Sequence, residues 1–216
     1  MRVLHIFKHF QSLIVAIVVL MLFISGCGGG DDVETITVEE DPVLVTLDGW
    51  NEFEDLNYPA ALELFEDAIE LDKFYTDAYA GLGWSKYMLG DNDNAIIAWN
   101  EGLSVSSDYN DLHAGLAFVA YDKGQFETCI ERCERVILSN PSYSFTHQMG
   151  SDVQDLYWTI AKSYYLIASF GSAYDTVLII NPHLELDLYL DDGGWDSEAI
   201  YTLAQEIERL EEIIRG

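Results

Sequence analysis

The chain has 216 residues, with 38 Asp and Glu against 10 Lys and Arg, for a formal net charge of −28. Only Arg2 and Lys8 of the basic residues, and none of the acidic ones, precede Cys27, so the remainder carries a charge of −30. Such a surface repels nucleic acid and anionic headgroups and favours cationic partners or a saline medium, while a half-hydrophobic composition excludes a disordered chain.

The first 26 residues read as a targeting segment rather than as fold. Arg2 and Lys8 supply a positive start, and Leu13 to Ile24 form an apolar run too short for a transmembrane helix, which needs about 20 residues. Ile24-Ser25-Gly26-Cys27 follows at once. These four residues resemble a lipobox, the signal-peptidase II site of bacterial lipoproteins. The resemblance implies that Cys27 becomes the first residue and carries lipid on its sulfur and amine, with acyl chains supplying ~0.8 kcal/mol per buried methylene. Residues 27–42, with Gly28-Gly29-Gly30 and then an acid-rich stretch ending at Pro42, read as a flexible tether. Gly28, rather than aspartate, follows the cysteine. By the same resemblance the expected location is the cell envelope, at the periplasmic face of the outer membrane if the host is diderm.

Residues 43–182 carry a repeat. A shift of 34 places Leu82 on Leu116, Gly90 on Gly124, Ile96 on Ile130 and Leu103 on Ile137; the reverse shift places Ala95 on Ala61 and Trp99 on Phe65. With Leu82-Gly83, the turn glycine Gly90, Ala95, Trp99 and Pro141, this pattern resembles the tetratricopeptide repeat family over about residues 42–182. The resemblance implies an all-α fold, a right-handed superhelical solenoid of about four helix pairs. Small residues such as Gly83, Ala61 and Ala95 let helices approach, and Phe65 and Trp99 fill the gaps between them. Turns within pairs are expected at Asn57-Tyr58, Gly90-Asp91 and Lys123-Gly124-Gln125.

The fourth unit departs from this spacing. Ser142 to about Val153 is an insertion, a helix is expected near Asp155, and the second helix of that pair stops at Asn181-Pro182. Residues 183–216 comprise an Asp- and Gly-rich loop and a last amphipathic helix, Ser197 to Ile214. In that helix Ile200, Leu203, Ala204, Ile207, Leu210, Ile213 and Ile214 share helical spacing and Asp196 is the N-cap. It reads as a capping helix; a coiled-coil oligomerisation helix is the rival, against which stands a length under three heptads.

In the tetratricopeptide family the first helices of the units line a concave groove that usually holds a peptide. By resemblance, three columns of this chain face it. Trp50, Trp84 and Phe118 form the first; Phe53, Tyr87, Tyr121 and, with the fourth unit aligned through Ala161 and Ala173, Tyr165 form the second. Asp77, Asp111 and Asp155 form the third. The expected groove has an aromatic floor and an acidic rim, suited to an extended peptide with aromatic anchors and nearby basic groups. The first column is expected to be open to the groove, whereas the second serves groove or core equally well. The function implied is a non-enzymatic, membrane-anchored interaction scaffold or adaptor of the cell envelope. Capture of a substrate or glycan for a transport or polysaccharide system is the alternative.

Chemistry-bearing residues are sparse. Cys129 and Cys133 occupy packing columns at i, i+4 and read as buried free thiols, since a disulfide within one helical turn has poor geometry and His113 lies in another helix. Asp91-Asn92-Asp93-Asn94 lacks the glycine and glutamate of a calcium loop and reads as a turn with an N-cap. Asp187, Asp191, Asp192 and Asp196 leave weak calcium binding open. No phosphate loop, nucleophile elbow or zinc motif occurs, so no catalytic residue, metal or cofactor is expected.

Overall fold

A computed structural model describes residues 40–147, 152–185 and 194–215. Cys27 and the lipobox, the tether to Glu39, and Asp187, Asp191 and Asp192 lie outside the described residues. The described residues form nine helices and no strand beyond one isolated bridge between Ser144 and Asp152. In chain order these are α1 (Pro42–Glu54), α2 (Tyr58–Leu71), α3 (Thr76–Met88), α4 (Asn92–Val105), α5 (Asn110–Asp122), α6 (Phe126–Ser139), α7 (Val153–Leu166), α8 (Phe170–Ile180) and α9 (Ser197–Arg215).

The first eight helices pack as consecutive hairpins, α1/α2 through α7/α8, and each hairpin leans on the next. The first helices α1, α3, α5 and α7 also touch in sequence and form one continuous face. This is the all-α solenoid that the 34-residue period implies. The fourth unit follows the third at a spacing of 44, because Ala95 and Cys129 are continued by Ala173, and Leu116 by Ile160. α7 starts at Val153, two residues before the expected Asp155, because Asp152 caps it: its side chain accepts from the backbone N–H of Gln154 at 2.6 Å.

Size complementarity between equivalent positions holds the stack together. Phe65 and Trp99 are fully buried. A Cβ added at Gly81 would lie 2.2 Å from the Phe65 ring, and one at Gly83 or Gly115 would lie 2.1 or 2.4 Å from the Trp99 indole. The helix backbones can therefore close on these rings only where no side chain intervenes. In the third unit the large residue becomes Cys133, and the equivalent of Gly83 becomes Ala117, so a methyl group is admitted where the ring has shrunk. Cys129 and Cys133 are buried free thiols, with Cys129 also accepting from the Ser163 hydroxyl at 3.7 Å.

Each hairpin turn needs one residue in the left-handed region. Gly90 (φ 80°) and Gly124 (φ 69°) supply it in the middle units, and Leu56 (φ 62°) and Ala168 (φ 59°) supply it in the outer two. A side chain there costs about 1–2 kcal/mol relative to glycine, so both outer turns are strained.

α9 closes the far end. Leu203, Ile207 and Leu210 are buried with Trp158, Ala161, Ala173 and Val177 in a second core, whereas Ile213 is exposed. Asp196 caps the helix as expected, accepting from the Ala199 backbone N–H at 2.7 Å. Trp158 donates its indole N–H to the Ile207 carbonyl at 2.9 Å, and Lys162 pairs with Glu211 at 2.7 Å. No helix among the described residues is long and apolar enough to cross a membrane.

Candidate binding groove

The three columns fall on the first helices. Trp50 and Phe53 are on α1, Trp84 and Tyr87 on α3, Phe118 and Tyr121 on α5, and Tyr165 on α7. Trp84 lies 6.1 Å from Phe118 and 5.9 Å from Tyr87, ring centre to ring centre, so neighbouring columns merge into one aromatic surface. Phe118, Tyr87, Tyr121 and Tyr165 are half-buried.

Contrary to expectation, the first column is closed at two of its three positions: Trp50 is 3% exposed and Trp84 0%, with only Phe118 half-buried. Phe53, of the second column, is 2% exposed. The residues that cover Trp50, Phe53 and Trp84 come from the insertion between α6 and α7. Phe145, itself 4% exposed, lies 4.8 Å from Trp84, 5.9 Å from Trp50 and 6.5 Å from Phe53. Two residues on, His147 stacks on Trp50 at 3.7 Å with the planes 2° apart, and its Nδ1 is 3.1 Å from the Glu54 carboxylate. The first helices of the first two units therefore already hold a segment of the chain itself. Trp84 Nε1 is buried with no hydrogen-bond partner among the described residues, a condition that costs about 1–3 kcal/mol.

The acidic rim is also largely spent on internal bonds. Asp77 accepts from the Tyr109 hydroxyl at 2.7 Å and from the Trp50 indole N–H at 3.1 Å. Asp111 accepts from the Tyr143 hydroxyl at 2.8 Å. Each tyrosine sits 32 residues after its aspartate, so the bonds form a ladder from unit to unit. Asp155 does different work, accepting the Asp152 backbone N–H at 2.9 Å to complete the capping box of α7. Sequence reading missed the ladder, although Tyr75, Tyr109 and Tyr143 recur at intervals of 34.

Burial raises the Asp111 carboxyl above the ordinary carboxylate range, and the charge of Asp77 adds to this against the opposing pull of the Tyr143 hydroxyl and His147. Burial also raises the Tyr109 and Tyr143 hydroxyls, each further held by its aspartate partner, so both stay protonated donors. With its pKa raised, folded Asp111 binds more protons than the unfolded carboxyl, so its contribution to stability falls as pH rises from about 3.9 through the folded value. Asp111→Asn keeps an acceptor for Tyr143 and removes the buried charge. It should match or exceed the unsubstituted protein in urea stability at pH 7, with the difference narrowing toward pH 4. A variant weaker at pH 7 by more than about 1 kcal/mol would mean that the charge-assisted bond outweighs the burial cost.

No group of three or more His, Cys, Asp or Glu among the described residues is placed to hold a metal. His113 is engaged at both ring nitrogens: Nε2 lies 2.8 Å from the Ser107 carbonyl and Nδ1 2.9 Å from Arg132 Nη1. A neutral ring that donates from Nε2 and accepts at Nδ1 satisfies both, in keeping with burial lowering its pKa.

No protein-family profile matches the sequence, and no curated protein does so. Solved structures do match. A crystal structure of MamA, a tetratricopeptide-like helical protein, superposes with a TM-score of 0.53 at 17% identity, over 79% of this chain and 81% of that one. A MamA point mutant gives 0.55 at 17% identity over 79% and 90%, and MamA AMB-1 gives 0.55 at 16% over 79% and 85%. The chain has a tetratricopeptide-type helical repeat fold. Identities this low establish the fold and nothing of the function.

Proposed function

We propose that the chain is a membrane-anchored interaction scaffold of the bacterial cell envelope, lipidated at Cys27, which binds a partner protein through a peptide laid along the face of α1, α3, α5 and α7. The observation that carries this reading is the run of aromatic residues along the first helices, on which a segment of the chain itself is already seated. Stacked rings give large contact area at low entropic cost, and the neighbouring carboxylates select against acidic partners. Among the described residues, no arrangement of titratable groups pairs a nucleophile with a base.

Phe118 and Tyr121 extend the aromatic face beyond the covered part and are half-buried. Phe118→Ala and Tyr121→Ala should reduce capture of the membrane partner at least tenfold while the helical circular dichroism is kept. Undiminished capture by both folded variants would remove the groove from the binding model. Radiolabelled palmitate incorporation that is lost in Cys27→Ser tests the anchor, and incorporation surviving that change would refute it.

A further inference from the structure

We infer that residues 144–147 are a built-in stand-in for the partner, and that the partner is a peptide carrying an aromatic residue followed two positions later by a basic one. The inference rests on the scaffold reading above and names what that groove recognises.

Three observations bear on it. Residues 144–147 lie outside the repeat: Tyr143 still keeps the interval of 34, and the spacing of units lengthens to 44 only after it, so the helix pairs align without them. Its backbone is fastened at its root, where Tyr143 N–H donates to the Asn140 carbonyl at 3.0 Å and Val153 N–H donates to the Tyr143 carbonyl at 2.9 Å. Within the groove the grip comes from side chains, with Phe145 enclosed by Trp50, Phe53 and Trp84, and His147 lying flat on Trp50 against Glu54.

The contacts also define the occupant chemically. The first subsite takes a ring set edge-on to Trp50 and Phe53 and tilted 40° against Trp84. The second takes a flat or cationic group between an indole face and a carboxylate, and Asp111 feels the charge of His147 as well. Arginine or lysine would satisfy the second subsite more fully than histidine, because its charge is permanent near neutral pH. A partner of the same pattern therefore competes with residues 144–147 for one place.

The test uses a fluorescent peptide copying residues 142–147, Ser-Tyr-Ser-Phe-Thr-His, and a second in which arginine replaces its histidine. Phe145→Ala/His147→Ala protein should bind the first at least tenfold more tightly than unaltered protein does, and the arginine peptide more tightly still. A peptide with alanine in place of its phenylalanine should not bind. Equal affinity for the two proteins, or binding indifferent to the phenylalanine, overturns the proposal. Should the double variant fail to fold, hydrogen exchange on the unaltered chain decides the matter. Saturating arginine peptide should speed exchange at residues 144–147, and unchanged protection there counts against displacement. A partner that is still captured through Phe118 and Tyr121 while neither effect appears would leave the scaffold standing and refute this occupant alone.

Discussion

Trp99→Ala is expected to remove about 3–5 kcal/mol of stability, a large part of the 5–15 kcal/mol typical of a domain. The indole is fully buried between the second and third units, donates to the Ala80 carbonyl at 3.3 Å, and meets Trp84 at 5.3 Å. Gly83 and Gly115 leave no side chain to fall into the void. The converse change, Gly83→Ala, drives a methyl group into the same ring and should cost about 1–3 kcal/mol. If ring and glycine are matched in size, Gly83→Ala combined with Trp99→Leu must be less damaging than the two changes summed, by a coupling of about 0.5–3 kcal/mol. Urea unfolding of the four proteins checks this. Strict additivity would mean that the glycine is there for some other reason.

Trp158→Ala should cost a similar ~3–5 kcal/mol, but at one end of the molecule. Trp158 is 1% exposed, joins α7 to α9 through the Ile207 carbonyl, and lies beneath Lys162, whose ammonium is 4.9 Å from the ring centre. The core it serves is distinct from the larger one, which runs through the first three units and reaches α7 at Leu156 and Ile160. Amides of residues 203–210 should therefore lose protection from hydrogen exchange well before those of α3 to α5. Simultaneous loss in all helices would show that α9 is integral to the whole stack rather than its cover.

Much of this architecture can be read from spacing. The interval of 34, the fourth-unit alignment through Ala161 and Ala173, and the apolar stripe of α9 depend on local periodicity, which a linear chain displays directly. The columns were also legible as columns: Trp50, Trp84 and Phe118 do fall on successive first helices. What covers the first two was not, because Phe145 has no equivalent in the other units and meets Trp50 across 95 positions. A helical period tells where a side chain points and is silent about a non-repeating segment that returns to meet it. For the same reason the acidic rim was misjudged. Asp77 and Asp111 recur as a rim should, yet each is taken up by a tyrosine from the following unit. The paired recurrence of Tyr109 and Tyr143 was the clue to that.

The bond between His147 and Glu54 spans 93 positions, in a stack whose helices otherwise touch near neighbours. An array with neighbour-only contacts melts like a zipper, from either tip. Here a strap from the middle of the chain is buckled to its first helix, so the opening helix cannot peel away until the buckle lets go. The beginning of the array should then come apart in a single step, more slowly formed than in a plain array because its ends must first meet. Among the described residues the tip bearing α9 has no such long-range fastening, so it should unravel by itself.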